Sequence, residues 1–240
     1  MKFINEMWAV IPARSGSKGL RNKNIKKING IHLIGYSIII SHKIKDIKKI
    51  IFSSDSNKYL NIAKKYGCDY LHKRSKKNSS SKASELSVFQ ELLHEFIKKG
   101  QPIPKFIVHF RPTTPLRNKT TIEKAINYFK KIKNDCTSFR TVSELSNPAF
   151  RYNRIINGKL SALTKKDFAL DKWFKNRQFF QRTYVCNCVV DIYKSQNILK
   201  GTLFGNNVIP YVIKDYKNDV DELDDFKLIE HYIKMKNFKI

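Results

Sequence analysis

The segment Pro12-Ala-Arg-Ser-Gly-Ser-Lys-Gly-Leu-Arg-Asn-Lys-Asn24 concentrates groups that could do chemistry. Gly16 and Gly19 let backbone N–H groups turn toward an anion, and Arg14, Lys18, Arg21 and Lys23 could neutralise it. Ser15 and Ser17 add hydroxyl donors. Neither a Walker A loop nor Gly-x-Gly-x-x-Gly aligns on these glycines. As composition alone, a phosphate cradle and a solvated basic loop stay equally open. The second notable pattern is Asp219-Val-Asp221. Residues two apart on an extended segment face the same way, which would turn both carboxylates outward and Val220 to the core. Such a pair can hold Mg²⁺ together with phosphate oxygens. The alternative is that acids before a helix only complement its dipole, a reading that Asp224 and Asp225 fit better.

These groups need a frame. Met7 to Pro12 reads as a buried strand running into the glycine loop. Helical spacing over 31–44 follows, then a strand at 49–53, a helix at 57–66 and a strand at 68–72. A polar Ser/Lys loop leads to a helix at 84–98 and a strand at 105–110. The next helix opens with Thr120-Thr-Ile-Glu123, a capping-box spacing. A further strand is expected over 135–142. Alternating strands and helices predict a mostly parallel sheet with helices on both faces, which binds ligands at the carboxyl ends of its strands. From about residue 145 the pattern changes. Segments 150–156 and 159–163 flank Asn157-Gly158 as a β-hairpin. Strands at 183–193 and 207–213 and a helix from Glu222 complete the chain. Residues 145–185 are thus expected as an insertion that returns to the same sheet, within one domain covering 1–240.

The 240 residues carry 47 Lys+Arg against 20 Asp+Glu, a formal charge of +27. A polyanion partner is one reading of that charge. A composition rich in lysine, isoleucine and asparagine is the other. The basic residues are spread along the chain without interleaved aromatics, and no zinc finger or RNA-binding signature accompanies them, so no specific nucleic acid is expected. Cys68, Cys136, Cys186 and Cys188 lack metal or redox spacing and are expected to be reduced and mostly buried. Ile31 to Ile40 is too short and too interrupted to span a bilayer. A strand-like run begins within a few residues of Met1, so a cytoplasmic protein without a signal peptide is expected.

Ile11 to Asn24 closely resembles the signature of the acylneuraminate cytidylyltransferase (CMP-sialic acid synthetase) family. Three more segments match in order: Ser53-Ser-Asp55, Arg111-Pro-Thr-Thr-Pro-Leu-Arg117, and Asp219-Val-Asp221 with Asp225-Phe226 behind it. The resemblance covers roughly residues 7 to 231. It implies a three-layer α/β/α fold of the nucleotide-diphospho-sugar transferase type (Rossmann-like), with a β-rich dimerisation excursion and hence a homodimer. It also implies that CTP and a nine-carbon keto sugar acid combine into a CMP-sugar and pyrophosphate with Mg²⁺. Arg14 and Lys23 would contact the triphosphate, with Ser15, Gly16 and Ser17 as donors and Asn24 at the base or ribose. Arg74 matches an arginine near the nucleotide, although its loop also reads as plain surface. Asp219 and Asp221 would hold the metal, giving Arg14, Lys23 and Asp221 the catalytic roles. Arg111, Thr113, Arg177, Gln178 and Asn187 would line the sugar pocket, a bidentate arginine suiting the sugar carboxylate.

Departures from the family pattern bear on the sugar. Arg111 stands where the family has Gln, Ser80-Ser81-Lys82 lacks the acid of Ser-Asp-Thr, and Asn187-Cys188 replaces Asn-Gly. These changes suit a legionaminic- or pseudaminic-type enzyme at least as well as a sialic acid enzyme. The 3-deoxy-manno-octulosonate cytidylyltransferases are the alternative, but they usually carry Arg-Leu-Pro-Gly-Lys where this chain has Gly-Leu-Arg-Asn-Lys.

Overall fold

A computed structural model describes residues 1–17, 19–163, 170–172, 175–214 and 219–235. In chain order the elements are β1 (Phe3–Pro12), the two-stranded ribbon β2 (Lys27–Ile28) and β3 (Ile31–His32), α1 (Leu33–His42), β4 (Ile47–Ser54), α2 (Asn57–Lys65) and β5 (Tyr70–Lys73). Then come α3 (Glu85–Lys98), β6 (Ile103–His109), α4 (Lys119–Ile132), β7 (Ser138–Glu144), β8 (Asn153–Ile156) and β9 (Lys159–Ala162). The chain continues through β10 (Tyr184–Lys194), α5 (Ser195–Leu199), β11 (Val208–Val212) and α6 (Leu223–Met235).

Seven strands form one sheet in the order β11-β7-β10-β6-β1-β4-β5. Only β10 runs against its neighbours β6 and β7; the other pairings are parallel. Strand β1 lies near the middle because its residues are apolar on both faces. Met7, Ala9 and Ile11 enter one core, while Trp8 and Val10 enter the other, the two-residue alternation of a strand covered on both sides. Helices α1, α2 and α4 cover the first face. Helix α3 covers the second with Val88, Phe89, Leu92, Leu93 and Phe96, a stripe of helical period. Burying a side chain such as Phe89 contributes about 1.5–3 kcal/mol. Helix α1 is buried nearly all round, because Leu33 and Tyr36 meet α6 and Val220 while Ile34 and Ile38 meet the sheet.

The connections place a crevice. From β1 the chain moves outward through β4 to β5, then returns through α3 to pair β6 on the other side of β1. The loops leaving β1 and β6 therefore diverge at their carboxyl ends, where open α/β sheets take their ligands.

Some expectations shift. Asn118, not Thr120, caps α4, its side chain accepting from the Thr121 N–H, and Glu123 instead pairs with Lys119 one turn back. An asparagine in extended backbone outcompetes a threonine already inside the first turn. Strand β7 starts three residues later than expected. The hairpin β8–β9 forms on Asn157 and Gly158, both with positive φ, as a separate two-stranded sheet, and β10 does return to the main sheet. All four cysteines are free, but only Cys136 is fully buried and Cys186 is exposed. Among the described residues no helix is long and apolar enough to cross a membrane.

Candidate active site

A cleft of about 470 Å³ opens at that crevice. The β1 loop contributes Arg14, Ser17, Gly19, Lys23 and Asn24, the β5 end contributes Arg74, the β6 loop contributes Arg111 and Thr113, and the segment before α6 contributes Asp221. Residues far apart in sequence meet there because these loops form the walls of the crevice.

The β1 loop is held by its own side chains. Asp55, at the carboxyl end of β4, accepts from both the Ser15 N–H and the Ser15 hydroxyl at 2.8 Å. Asn24 donates to the Arg14 carbonyl at 3.2 Å, while its own Oδ1 is buried without a protein partner. An unmatched acceptor at a cleft wall suits a donor from a bound molecule. Gly19 lies so close to the last segment that a Cβ there would sit 2.8 Å from the Asp221 carbonyl oxygen. The loop and the Asp-Val-Asp segment are thus packed backbone to backbone. Lys23 reinforces this with an ion pair to Asp221 at 3.0 Å.

Arg74 is buried and donates to the Ser53 hydroxyl and the Ser53 carbonyl, each at 3.0 Å. Among the described residues no carboxylate bonds it directly. Burial pulls its guanidinium down to about 10, with Asp55 and Glu91 resisting and Arg14 adding to the fall. A desolvated cation facing a cleft is complementary to an anionic ligand.

Val220 is fully buried and donates its N–H to the Thr113 carbonyl, which fixes the acids on either side of it. The two acids do not both turn outward as expected: Asp219 is partly buried, accepts from the Thr114 hydroxyl and does not line the cleft, whereas Asp221 points outward with most of its side chain exposed. Burial raises the Asp219 carboxyl above its ordinary value. The Thr114 hydrogen bond and Arg117 oppose this, while Asp221 pushes the same way. Two carboxylates that repel each other beside a cation-lined cleft form an oxygen donor set of the kind that a hard divalent cation relieves.

Arg111 differs most from its sequence reading. Its Nε and Nη2 grip Glu85 at 3.0 and 2.9 Å, and its Nη1 donates to the buried Asp191 at 2.7 Å. Arg140 holds the same Asp191 carboxylate at 3.1 Å. Burial would lower the Arg111 guanidinium, but the Glu85 charge and hydrogen bonds, joined by Asp191, raise it above its ordinary value. Burial also tends to raise Asp191, yet its two arginines hold it below the usual carboxylate range. The neighbouring His109, fully buried, is pushed well below its ordinary value by burial and then by Arg111.

Behind this network lies Arg117, fully buried. It donates to the carbonyls of Val189, Thr114, Arg111 and Cys188 and to the Ser37 hydroxyl. It ties the β6 loop to a bulge in β10, where Cys188 has φ +56°, a left-handed conformation that a glycine would adopt freely. Asn187, beside it, is not at the cleft surface. It is buried, accepting from the Thr141 hydroxyl at 2.6 Å and donating to Ser143 at 2.9 Å, and so pins the bulge.

Of the other expected site residues, Ser15 holds the loop through Asp55 without lining the cleft, Gly16 lies outside it with open space where a Cβ would sit, and Arg21 is exposed outside it. Arg177 and Gln178 line a separate hollow with Glu144, Phe180 and Arg182 where β7 ends and before β10 begins. Lys18 lies outside the described residues. Sequence reading passed over Glu85, Asp191 and the roles of Asp55 and Arg117. A lone acid inside the apolar run Val189-Val-Asp-Ile-Tyr193 was the available signal for Asp191, since buried acids need partners. Glu85 gave none, because an acid in a first helical turn is ordinary.

A mostly parallel sheet with helices on both faces and a glycine- and cation-bearing loop at its switch point is the frame of an α/β protein that takes a phosphate-bearing ligand. Residues 8–228 match the family model described as Cytidylyltransferase, and the chain belongs to that family. It is 31% identical to a post-translational flagellin modification protein B of Campylobacter coli over 98% of both chains. It is also 31% identical to a CMP-N,N′-diacetyllegionaminic acid synthase of Campylobacter jejuni over 97% of both. An N-acylneuraminate cytidylyltransferase of Escherichia coli is 30% identical over 92% of this chain and 50% of its own length. In fold, the chain is similar to a CMP:2-keto-3-deoxy-manno-octonic acid synthetase complexed with CTP, with a TM-score of 0.70, 13% identity and coverage of 97% and 100%.

Proposed function

We propose that this chain activates a nonulosonic (sialic-type) acid with CTP, releasing pyrophosphate and giving a CMP-sugar. The carrying observation is that Arg14, Ser17, Lys23, Asn24 and Arg74 meet Asp221 in one cleft at the switch point. The anomeric hydroxyl oxygen would bond to the α-phosphorus, lose its proton, and displace the bond to the β-phosphate. Such transfer depends on positioning and charge neutralisation. Arg14, Lys23 and Arg74 neutralise the triphosphate, and Asn24 Oδ1 accepts from the base or ribose. Ser15, Gly16 and Ser17 shape the loop that receives it.

Mg²⁺ fits the donor set of Asp219 and Asp221, where it would neutralise phosphate charge. Thr114 orients Asp219, and Lys23 holds Asp221 against the loop. Arg111 and Thr113 mark the sugar half of the cleft. The similarity to the legionaminic-type relative along its whole length supports a nine-carbon acid of that kind.

The 145–185 insertion exposes Ile155, Leu160, Leu163 and Phe179, which supports a homodimer through this face of one cytoplasmic catalytic domain. Arg177 and Gln178 stand on that insertion rather than in the cleft, so their role in sugar binding falls to the dimer. No specific nucleic acid is required.

The test is pyrophosphate release from CTP and Mg²⁺ with a panel of keto sugar acids, read by mass spectrometry of the product. A CMP-sugar from a nine-carbon acid is the expected result. Turnover only with 3-deoxy-manno-octulosonate, or none with any acid, overturns the proposal.

A further inference from the structure

The groups Arg140, Asp191, Arg111 and Glu85 form a chain of alternating charge that runs from the sheet to the cleft. Its inner members are buried or half-buried, and the acid at its outer end keeps 40% of its side chain exposed on the cleft wall. Arg111 spends its fork on Glu85 and its remaining reach on Asp191, both at hydrogen-bond distance. The cleft therefore meets a fixed carboxylate at this point, where the sequence had suggested a free guanidinium. Each Glu85 oxygen takes one N–H from Arg111 and keeps acceptor capacity on its open side. His109 Nε2 lies 3.8 Å behind the same carboxylate and has no hydrogen-bond partner.

Resting on the proposed function, we infer that Glu85 is a specificity-determining residue for the sugar acid. Its carboxylate accepts from an N–H or O–H donor of the sugar, and Arg111 is the positioning residue that aims it. The class of substrate this fits is a sugar acid with a donor-bearing substituent, such as an N-acyl amide or a hydroxyl, directed at α3. A substrate carboxylate would be repelled at this point and must be held elsewhere. The geometry favours this because the acid cannot swing away: both oxygens are gripped, and the arginine is anchored in turn by a buried aspartate.

Glu85→Gln and Glu85→Asp would be assayed beside the unaltered enzyme with CTP, Mg²⁺ and two matched nine-carbon acids. One acid carries the N-acyl or hydroxyl donor and the other has it removed. Thermal unfolding of each variant checks the fold. The unaltered enzyme should prefer the donor-bearing acid in kcat/KM by about 10- to 100-fold, the range for a hydrogen bond to a charged group. Glu85→Gln should lose most of that preference, with KM for CTP within about twofold of the unaltered value. Glu85→Asp, which keeps the charge on a shorter stem, should retain part of it. An unchanged preference in a folded Glu85→Gln overturns the inference while leaving the proposed function standing. Should Glu85→Gln fail to fold, an unchanged preference in Glu85→Asp does the same. If the unaltered enzyme turns over neither acid, the proposed function itself falls, and the inference with it.

Discussion

Replacing Arg117 by methionine keeps the apolar stem of the side chain and removes the guanidinium with all its donors. The carbonyls of Thr114, Cys188 and Val189 would lose a hydrogen bond, as would the Ser37 hydroxyl, while the Arg111 carbonyl keeps the Thr114 N–H. A buried acceptor left unpaired costs about 1–3 kcal/mol, so three give a gross loss of roughly 3–9 kcal/mol. Part of this returns, because burying the guanidinium is itself unfavourable, as its fall to about 10 under desolvation records. Removing one member of a buried charged set typically costs about 3–5 kcal/mol net, and we expect Arg117→Met to fall there. That is a large part of a stability of about 5–15 kcal/mol. Urea unfolding by circular dichroism measures it through the shift in midpoint at unchanged slope. Arg117→Lys should lose less, since an ammonium can still reach some of the carbonyls. A loss below about 1 kcal/mol for Arg117→Met would refute the argument, because it would mean that the β6 loop and the β10 bulge hold their shapes without this side chain.

Gly19→Ala should weaken CTP binding at least tenfold, because its Cβ must push the Asp221 backbone away, whereas Gly16→Ala, which meets open space, should do little; calorimetric titration of both decides. Lys23→Ala should lower kcat/KM by an amount worth about 3–4 kcal/mol, while Lys27→Ala, on the exposed ribbon, should not; equal mild effects would make the loop a plain basic surface. Asp221→Ala should stay folded, since its side chain is mostly exposed, but lose most Mg²⁺-dependent turnover, and near-normal activity would sink the metal assignment. Binding to a random oligonucleotide should vanish by moderate salt while CTP binding persists; tight, sequence-selective oligonucleotide binding at high salt would contradict the reading of the charge.

Much of this frame could be read from the chain because it rests on local rules. The apolar run at Met7 to Ile11 is a buried strand for the reason its composition suggests, and Asp219-Val-Asp221 places Val220 in the core as an extended triplet must. The cluster Arg14, Lys23, Asn24 and Asp221 was also legible, since ordered motifs carry it. What escaped depends on contacts between residues far apart in sequence. Arg111 and Glu85 are 26 residues apart, and Arg111 and Asp191 are 80 apart, so no spacing rule links them. Asn187 was expected at the sugar because its motif lies near the site. It turned inward because the bulge it belongs to needs an acceptor for the Thr141 hydroxyl and a donor for Ser143. Ser15 shows the same limit: its donors point to a phosphate on paper and to Asp55 in the fold.

The net charge of +27 therefore says less about this cleft than its local arrangement does. On the β1 side, Arg14, Lys23 and Arg74 line the opening together with the exposed acids Asp221 and Glu222, an arrangement that suits a polyanion and its counter-ion. On the β6 side, Arg111 and Arg140 are matched by acids, Arg117 is spent on carbonyls, and the outermost acid is Glu85. A uniformly basic cleft would bind any phosphate-bearing molecule in many poses, because unpaired cations in water discriminate little. A cleft that sets uncommitted cations beside a fixed acceptor is more selective. Under the proposed function, the triphosphate would be drawn to Arg14, Lys23 and Arg74 and repelled by Glu85, whose carboxylate would be left for a substrate that donates hydrogen bonds. Alternation along Arg140, Asp191, Arg111 and Glu85 is what makes that acceptor rigid, since each charge is held by the next and none is free to follow the ligand.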